Sequence, residues 1–177
     1  MEMETEKVSV KKIAINYGVL WGLGGVVTLI VAYAMNAHVG TNYVKSIVDT
    51  LIMIGAIVLG LKAFKKDNGG YMSLGEALKT GLGISVIAGL IGAIFFYVFV
   101  NFIDPGMIDK MLEVQREQAI LSNPDIDMAA LDQGMEMSKN FMQPWLMSTF
   151  AIIGTLFFGF IVSLISGLIM KRTNPMA

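Results

Sequence analysis

Asp49 is the ionisable residue of this sequence that could most directly have a chemical role, because its carboxylate stands in a run of Ile, Val, Leu, Met, Ala and Gly. A carboxylate inside a membrane often marks an ion or proton path. Lys45 stands four residues earlier, and residues at that spacing are neighbours on a helix. Because Asp49 lies only one turn inside the apolar run, we favour an interfacial carboxylate paired with Lys45 over a transport site.

Glu76 and Lys79 form a second polar cluster, close in sequence to Tyr71. They could line a binding surface. Ser73 followed three residues later by Glu is, however, the pattern of a capping box at a helix start. We therefore predict that a helix begins near Leu74 and that Glu76 and Lys79 cap and solvate its first turns.

A third candidate site contains Asn101 and Asp104, whose side-chain oxygens could bind a cation. Asp104 precedes Pro105, and Asp as a cap followed by Pro at the first helical position is a favoured helix start. We therefore predict that Asp104 caps a helix. The single histidine, His38, stands in a short loop with no other metal-binding residue beside it, and zinc needs several ligands, so we predict no metal role for it.

The residue types that are missing exclude several kinds of site. The chain has no cysteine, which excludes disulfides, thiolate metal sites and cysteine nucleophiles, and one histidine excludes sites built on two. A net charge of -1 without a clustered basic face removes the case for nucleic-acid binding. We therefore expect no enzymatic activity, no cofactor and no metal ion.

Four apolar runs must position these residues. The chain of 177 residues is 55% apolar and 15% charged, whereas soluble domains are about 25% charged. A helix that crosses a hydrocarbon layer of about 30 Å needs roughly 20 residues, and the runs 13–35, 44–64, 80–103 and 145–170 reach that length. The first run exceeds the roughly 7–15-residue core of a signal peptide, so we expect it to be retained. We predict a single all-α membrane domain over residues 1–177, a four-helix transmembrane bundle.

Basic residues beside the spans predict the orientation, since Lys and Arg in short loops favour the cytoplasm. With the N-terminus inside, nine basic residues lie in cytoplasmic segments and four lie outside. The nine are Lys7, Lys11, Lys12, Lys62, Lys65, Lys66, Lys79, Lys171 and Arg172. The four are Lys45, Lys110, Arg116 and Lys139. We therefore predict that both termini are cytoplasmic.

The segment 104–143 is the only sizeable part outside the predicted spans. Apolar residues recur at near-helical spacing from Met107 onwards, the segment 122–125 reads as a break, and Met128, Leu131 and Met135 share one face of a second helix. We therefore predict a short helical hairpin. Its eight acidic and three basic residues give a net charge of -5, which disfavours anionic lipid headgroups as partners.

Small residues recur every four positions in three of the spans. In lipid, helices associate through close packing at such residues. The packing positions that we predict are Gly18 and Gly22, then Gly81, Ser85, Gly89 and Ala93, and finally Gly159, Ser163 and Gly167. These stripes predict a tightly packed bundle, and they leave open whether the contacts form within one chain or between chains.

Several short motifs resemble an uncharacterised family of bacterial four-span membrane proteins, domain of unknown function 4199. They are GGY at 69–71, LGEALKTG at 74–81, NFIDP at 101–105 and GTLFFG at 154–159, with a last span that ends in basic residues. The resemblance covers nearly the whole chain. It implies a multi-pass protein of the bacterial inner membrane, and it implies no activity.

Two functions remain open at this point. The first is a structural or accessory membrane protein that acts on a partner through its bundle and its acidic outer loop. The second is a small oligomeric transporter or channel for a neutral solute. Against it stands the absence of any charge at the middle of a span, where coupled transporters often keep one, although a neutral solute escapes that objection. We favour the first, and we expect membrane lipids, and either a second copy or another membrane protein, as partners.

Overall fold

The computed structural model describes residues 9–173, which form six α-helices. Their bounds are Val10–Ala34 for α1, Tyr43–Asp67 for α2, Leu74–Val98 for α3, Met107–Ser122 for α4, Met128–Phe141 for α5 and Pro144–Met170 for α6. A π-helical turn, Phe99–Ile103, extends α3. By length and composition, α1, α2, α3 with its π turn, and α6 can each cross a membrane. The predicted all-α fold, with four spans and a helical hairpin between the last two, is confirmed.

Local side-chain caps explain where the helices begin. Ser73 accepts a hydrogen bond from the backbone N–H of Glu76, and the Glu76 carboxylate accepts one from the N–H of Ser73. The predicted capping box and the predicted start of α3 are therefore confirmed. Asn42 caps α2 in a similar way, and Pro144 occupies the first turn of α6.

One of the basic residues that support the predicted orientation, Lys7, lies outside the described residues.

The antiparallel pair α3 and α6 meets in successive layers of small residues. A Cβ placed on Gly81 would lie 2.6 Å from Ser163 Cβ, and one placed on Gly159 would lie 2.8 Å from Ser85 Cβ. Along the same seam, Gly167 faces Ala77, and Gly89 faces Thr155. Each layer is one helical turn from the next, so the four-residue stripes of the two helices interlock within one chain.

The opposite side of α3 packs against α1, again through glycine. A Cβ on Gly18 would lie 2.6 Å from Ile87 Cβ, and one on Gly22 would lie 2.8 Å from Ile91 Cβ. Because α3 contacts both α1 and α6, it is the central helix of the bundle. All eight glycine and serine positions of the predicted stripes are buried, as is Ala93.

Helix α2 packs unevenly along its length. Its buried residues, Ala56, Ile57, Gly60, Leu61 and Phe64, all belong to its second half. In its first half, large side chains such as Val44, Ile47 and Leu51 are more than half exposed. The bundle is therefore closely packed towards the end of α2 and more open towards its beginning.

The two ends of the bundle differ in construction. At the first, which we call the terminal end, Met72 and Arg172 form an antiparallel backbone bridge, and Lys65 donates to the carbonyl of Met170 at 2.7 Å. The Arg172 guanidinium also lies over the Tyr71 ring at 5.3 Å. The opposite end, which we call the hairpin end, contains the α1–α2 loop and the α4–α5 hairpin.

Candidate functional site

Three side chains from separate parts of the chain meet at the hairpin end. His38 Nε2 lies 2.7 Å from Asp104 Oδ2, and Lys110 Nζ lies 3.0 Å and 3.1 Å from the two Asp104 oxygens. The side chains of His38 and Asp104 are 4% and 8% exposed. This cluster joins the α1–α2 loop, the end of the π turn and the first turn of α4 through one buried carboxylate.

The backbone around His38 and Asp104 aims both side chains inward. After α1, Asn36 adopts a left-handed conformation with φ of +53°, which short polar residues tolerate and which turns the chain towards His38. The Asp104 N–H donates to the carbonyl of Phe99, five residues earlier, as the π turn requires. π turns are rare and frequently occur at functional sites. The His38 ring then lies edge-on to Tyr33 and Phe99.

One prediction about this region is wrong. Helix α4 begins after Gly106 without a side-chain cap, because the Asp104 carboxylate is engaged by His38 and Lys110 instead. His38 contacts Asp104, a partner that the sequence did not predict. Asn101 stays apart from the cluster: it is exposed and donates to the carbonyl of Tyr97 at 2.7 Å. The structure therefore does not bring Asn101 and Asp104 together.

The electrostatics of the cluster keep the carboxylate ionised. Burial raises the pKa of Asp104, but hydrogen bonds and charge from Lys110 and His38 lower it by more, so the pKa lies below its ordinary value of 3.8. An ionised carboxylate that accepts charge-assisted hydrogen bonds holds its partners strongly. Asp104 can therefore act as an anchor for α4 and, through it, for the hairpin.

The α4–α5 hairpin itself presents an acidic surface. Arg116 and Asp132 connect the two helices through an ion pair of 2.8 Å, and Leu131 of α5 is buried. Seven carboxylates of the segment are exposed, namely those of Asp109, Glu113, Glu117, Asp125, Asp127, Asp132 and Glu136. Since Lys110 already pairs with Asp104 and Arg116 with Asp132, few cations remain on this surface to balance them.

Asp49 belongs to a separate polar group on the bundle wall. Its two oxygens lie 2.5 Å from Thr28 Oγ1 of α1 and 2.5 Å from Lys45 Nζ. The Lys45 and Asp49 side chains are 27% and 32% exposed, so the pair lies at an edge of the bundle. The interpretation of Asp49 as a carboxylate paired with Lys45 agrees with this geometry, and the bond from Thr28 adds an anchor to α1.

A groove of about 520 Å³ opens beside this pair. It is bounded by α1, α2, α3 and α6, in the half of the bundle where α2 is loosely packed, and its walls are mostly apolar. Gly25 and Gly92 leave space along it, because a Cβ at either position would meet no atom within 4 Å. The groove is thus a consequence of small residues at positions that no neighbouring helix fills.

The remaining predicted site residues, Glu76 and Lys79, lie in the first turns of α3 at the terminal end of the bundle, away from both polar groups. Glu76 is half-buried and its carboxylate binds the backbone and hydroxyl of Ser73 at 2.8 Å each. Lys79 is exposed. Their arrangement is that of a helix start, and the structure does not combine them with Asp49 or Asp104.

Sequence reasoning missed His38, Lys110 and Thr28. His38 and Asp104 are 66 residues apart, and Thr28 and Asp49 are 21 apart. Spacing patterns detect only neighbours on one helix, so neither contact could be inferred in this way. The available signals were weaker: the one histidine of the chain, and a threonine inside an otherwise apolar span.

These helices and polar groups define a four-span helical membrane protein with an acidic hairpin at one end, attached to the bundle through Asp104 and its partners. The chain belongs to the family described as protein of unknown function (DUF4199), whose model matches residues 16–172. The match includes all four spans almost completely, the His38–Asp104–Lys110 cluster and the hairpin. No curated protein matches the chain, and no solved structure matches it.

Proposed function

We propose that this protein is a non-enzymatic accessory component of the bacterial inner membrane that presents its acidic hairpin to a basic surface of a membrane partner. The observation that carries the proposal is the anchored hairpin. A buried Asp104, held by His38 and Lys110, fixes the start of α4 to the bundle, while seven carboxylates of the segment point outward. A surface of one sign favours fast and selective association with a surface of the opposite sign.

The orientation is part of this proposal. Eight basic residues of the described range lie at the terminal end, so by the positive-inside tendency this end is cytoplasmic and the hairpin is outside. The absence of cysteine allows single cysteines to be introduced at exposed Ser122 and exposed Asp67. A membrane-impermeant maleimide should label Ser122→Cys in intact cells with a permeabilised outer membrane, and Asp67→Cys only after lysis. The opposite labelling pattern would reverse the orientation.

Charge neutralisation on α4 tests the partner contact. Glu113→Gln with Glu117→Gln should reduce crosslinking of the partner in native membranes several-fold, and high salt should do the same to the parent. Gln115→Ala with Gln118→Ala changes two exposed neutral residues of the same helix and is the matched control. If the acidic variant crosslinks as strongly as this control, the carboxylates do not form the contact.

Transport of a small neutral solute is the second candidate, because the groove beside Asp49 enters the bundle. The packing of the terminal half weighs against it. There Ile57 and Leu61 are fully buried, and the Gly81–Ser163 layer brings α3 and α6 together, so the groove does not continue as a pore through one chain. Solute flux in liposomes well above the protein-free background, and reduced by Asp49→Asn, would favour the transporter.

A further inference from the structure

The groove beside Asp49 has the dimensions of a ligand site in a membrane wall. Its volume of about 520 Å³ falls within the roughly 300–1,000 Å³ of small-molecule pockets. Along α2 it extends from Lys45 to Met53, which at 1.5 Å per residue is about 12 Å. The lipid hydrocarbon layer is about 30 Å thick, so a groove of this length reaches from the interface towards the middle of the bilayer.

The polarity of the groove changes along its length. Its mouth contains the Lys45 ammonium and the Asp49 carboxylate, whereas Trp21, Met53 and Phe158 line the deeper part. Phe158 of α6 is 55% exposed, so the groove is open sideways rather than enclosed by the bundle. A ligand that fits this gradient has a charged end at the interface and an apolar chain directed into the membrane.

The two charges at the mouth select among amphiphiles. Lys45 Nζ and Asp49 Oδ2 lie 2.5 Å apart and carry opposite charges. A purely anionic headgroup that approaches Lys45 is therefore repelled by the Asp49 carboxylate. A zwitterionic headgroup can place its phosphate against Lys45 and its ammonium against Asp49. A carboxylate has about four acceptor positions, and Thr28 and Lys45 use two of those of Asp49, so it can accept further N–H donors.

We propose that this groove binds one phospholipid with a phosphoethanolamine headgroup, and that one of the two acyl chains of this lipid lies between α2 and α6. The primary ammonium of this headgroup donates hydrogen bonds to Asp49, whereas the quaternary ammonium of phosphocholine has no N–H to donate. One charge-assisted hydrogen bond at this partly exposed site gives a preference of about tenfold for phosphoethanolamine over phosphocholine. This inference does not depend on the proposed contact of the hairpin with a partner, because the groove and the hairpin surface are formed by different residues.

Trp21 provides the readout, since it lines the groove and is only 9% exposed. The Trp145→Phe full-length protein, in which Trp21 is the one remaining tryptophan, is placed in vesicles of unlabelled phosphatidylcholine. A minor fraction of phosphatidylethanolamine or phosphatidylcholine, brominated in mid-chain, is then titrated in, and quenching of Trp21 fluorescence is recorded. We expect phosphatidylethanolamine to quench at about one tenth of the phosphatidylcholine concentration.

Matched variants separate the groove from general lipid contact. Gly92→Leu fills the groove and should remove most of the quenching, whereas Gly154→Leu, also at an open position but outside the groove, should leave it unchanged. Asp49→Asn should abolish the headgroup preference. Equal quenching by the two lipids in the parent protein overturns the headgroup assignment. Unchanged quenching in a folded Gly92→Leu variant overturns the proposal that an acyl chain enters the groove. If Gly92→Leu fails to fold, the headgroup comparison with and without Asp49→Asn decides the proposal.

Discussion

The seam between α3 and α6 allows a quantitative prediction at Gly81. A Cβ there would lie 2.6 Å from Ser163 Cβ, whereas carbon atoms in contact prefer about 3.5–4.0 Å. Gly81→Ala therefore forces the two helices apart by about 1 Å, and the layers at Gly159 and Gly167 lose contact at the same time. Overpacking of this kind costs about 1–3 kcal/mol of unfolding free energy.

Gly154→Ala is the matched control, since a Cβ at Gly154 meets no atom within 4 Å. Both substitutions exchange Gly for Ala inside a helix, which by itself favours the helix by up to about 1 kcal/mol. Their difference thus isolates the clash, and we expect Gly81→Ala to be less stable than Gly154→Ala by about 2 kcal/mol. Reversible unfolding in mixed micelles, followed by far-ultraviolet circular dichroism, measures it.

The double variant Gly81→Ala with Ser163→Gly tests the assigned contact. It removes the Cβ and hydroxyl that the new methyl group would meet, so most of the loss should be recovered. The coupling energy in the double-mutant cycle should be about 1–2 kcal/mol, well above the roughly 0.5 kcal/mol within which independent sites add. A smaller coupling, or equal stability of Gly81→Ala and Gly154→Ala, would refute the packing of these two helices at this layer.

Four further predictions concern single polar side chains. Thr28→Val removes a hydroxyl that binds Asp49 and should destabilise by about 1 kcal/mol, whereas Thr80→Val should stabilise by a similar amount, because the buried Thr80 hydroxyl has no partner among the described residues. Ser73→Ala should cost about 1 kcal/mol through the lost helix cap. The pKa of Asp104 is lower in the folded state, so its contribution is present above the unfolded value near 3.8 and is lost as the pH falls through the folded pKa. The protection of the α4 amides, taken relative to the intrinsic exchange rate at each pH, should therefore fall only below about pH 3.8, and Asp104→Asn should abolish that dependence.

The same micellar unfolding experiment checks the three substitutions that alter stability. Equal signs for the two threonine variants would contradict the assigned hydrogen bonds, because the change in side chain is the same at both positions. For Asp104, a loss of α4 protection (corrected for the intrinsic exchange rate) that already sets in well above the ordinary carboxyl pKa of 3.8 in the parent protein would show that the carboxylate is not the anchor of α4.

Much of the fold follows from local patterns in the sequence. Apolar runs, the Ser73–Glu76 capping box and the break at 122–125 each depend on residues close in sequence, and each has its counterpart in the structure. Stripes of small residues likewise identify buried faces. The sequence does not predict which stripes pair, because any stripe can pack against any other. Only the three-dimensional arrangement matches Gly81 to Ser163 and Gly18 to Ile87.

The candidate sites were harder to predict for a physical reason. Asp104 followed by Pro105 satisfies every local criterion for a helix cap, yet the π turn and its bond to Phe99 rotate the carboxylate towards His38. A buried carboxylate gains more from two charged or polar partners than from one backbone N–H, so the distant contact prevails over the local one. Lys110 completes the cluster, and it is six residues beyond Asp104, a spacing that no helical rule links.

The uneven packing of the bundle connects these observations. Towards the terminal end, glycine and serine layers, the buried half of α2 and the Met72–Arg172 bridge hold the four spans together. Towards the hairpin end, the first half of α2 is attached to α1 through Thr28 and Asp49, and the groove separates it from α6. Close packing of all four spans is therefore concentrated in the terminal half of the bundle, which leaves space for a groove in the other half, where the acidic hairpin is attached.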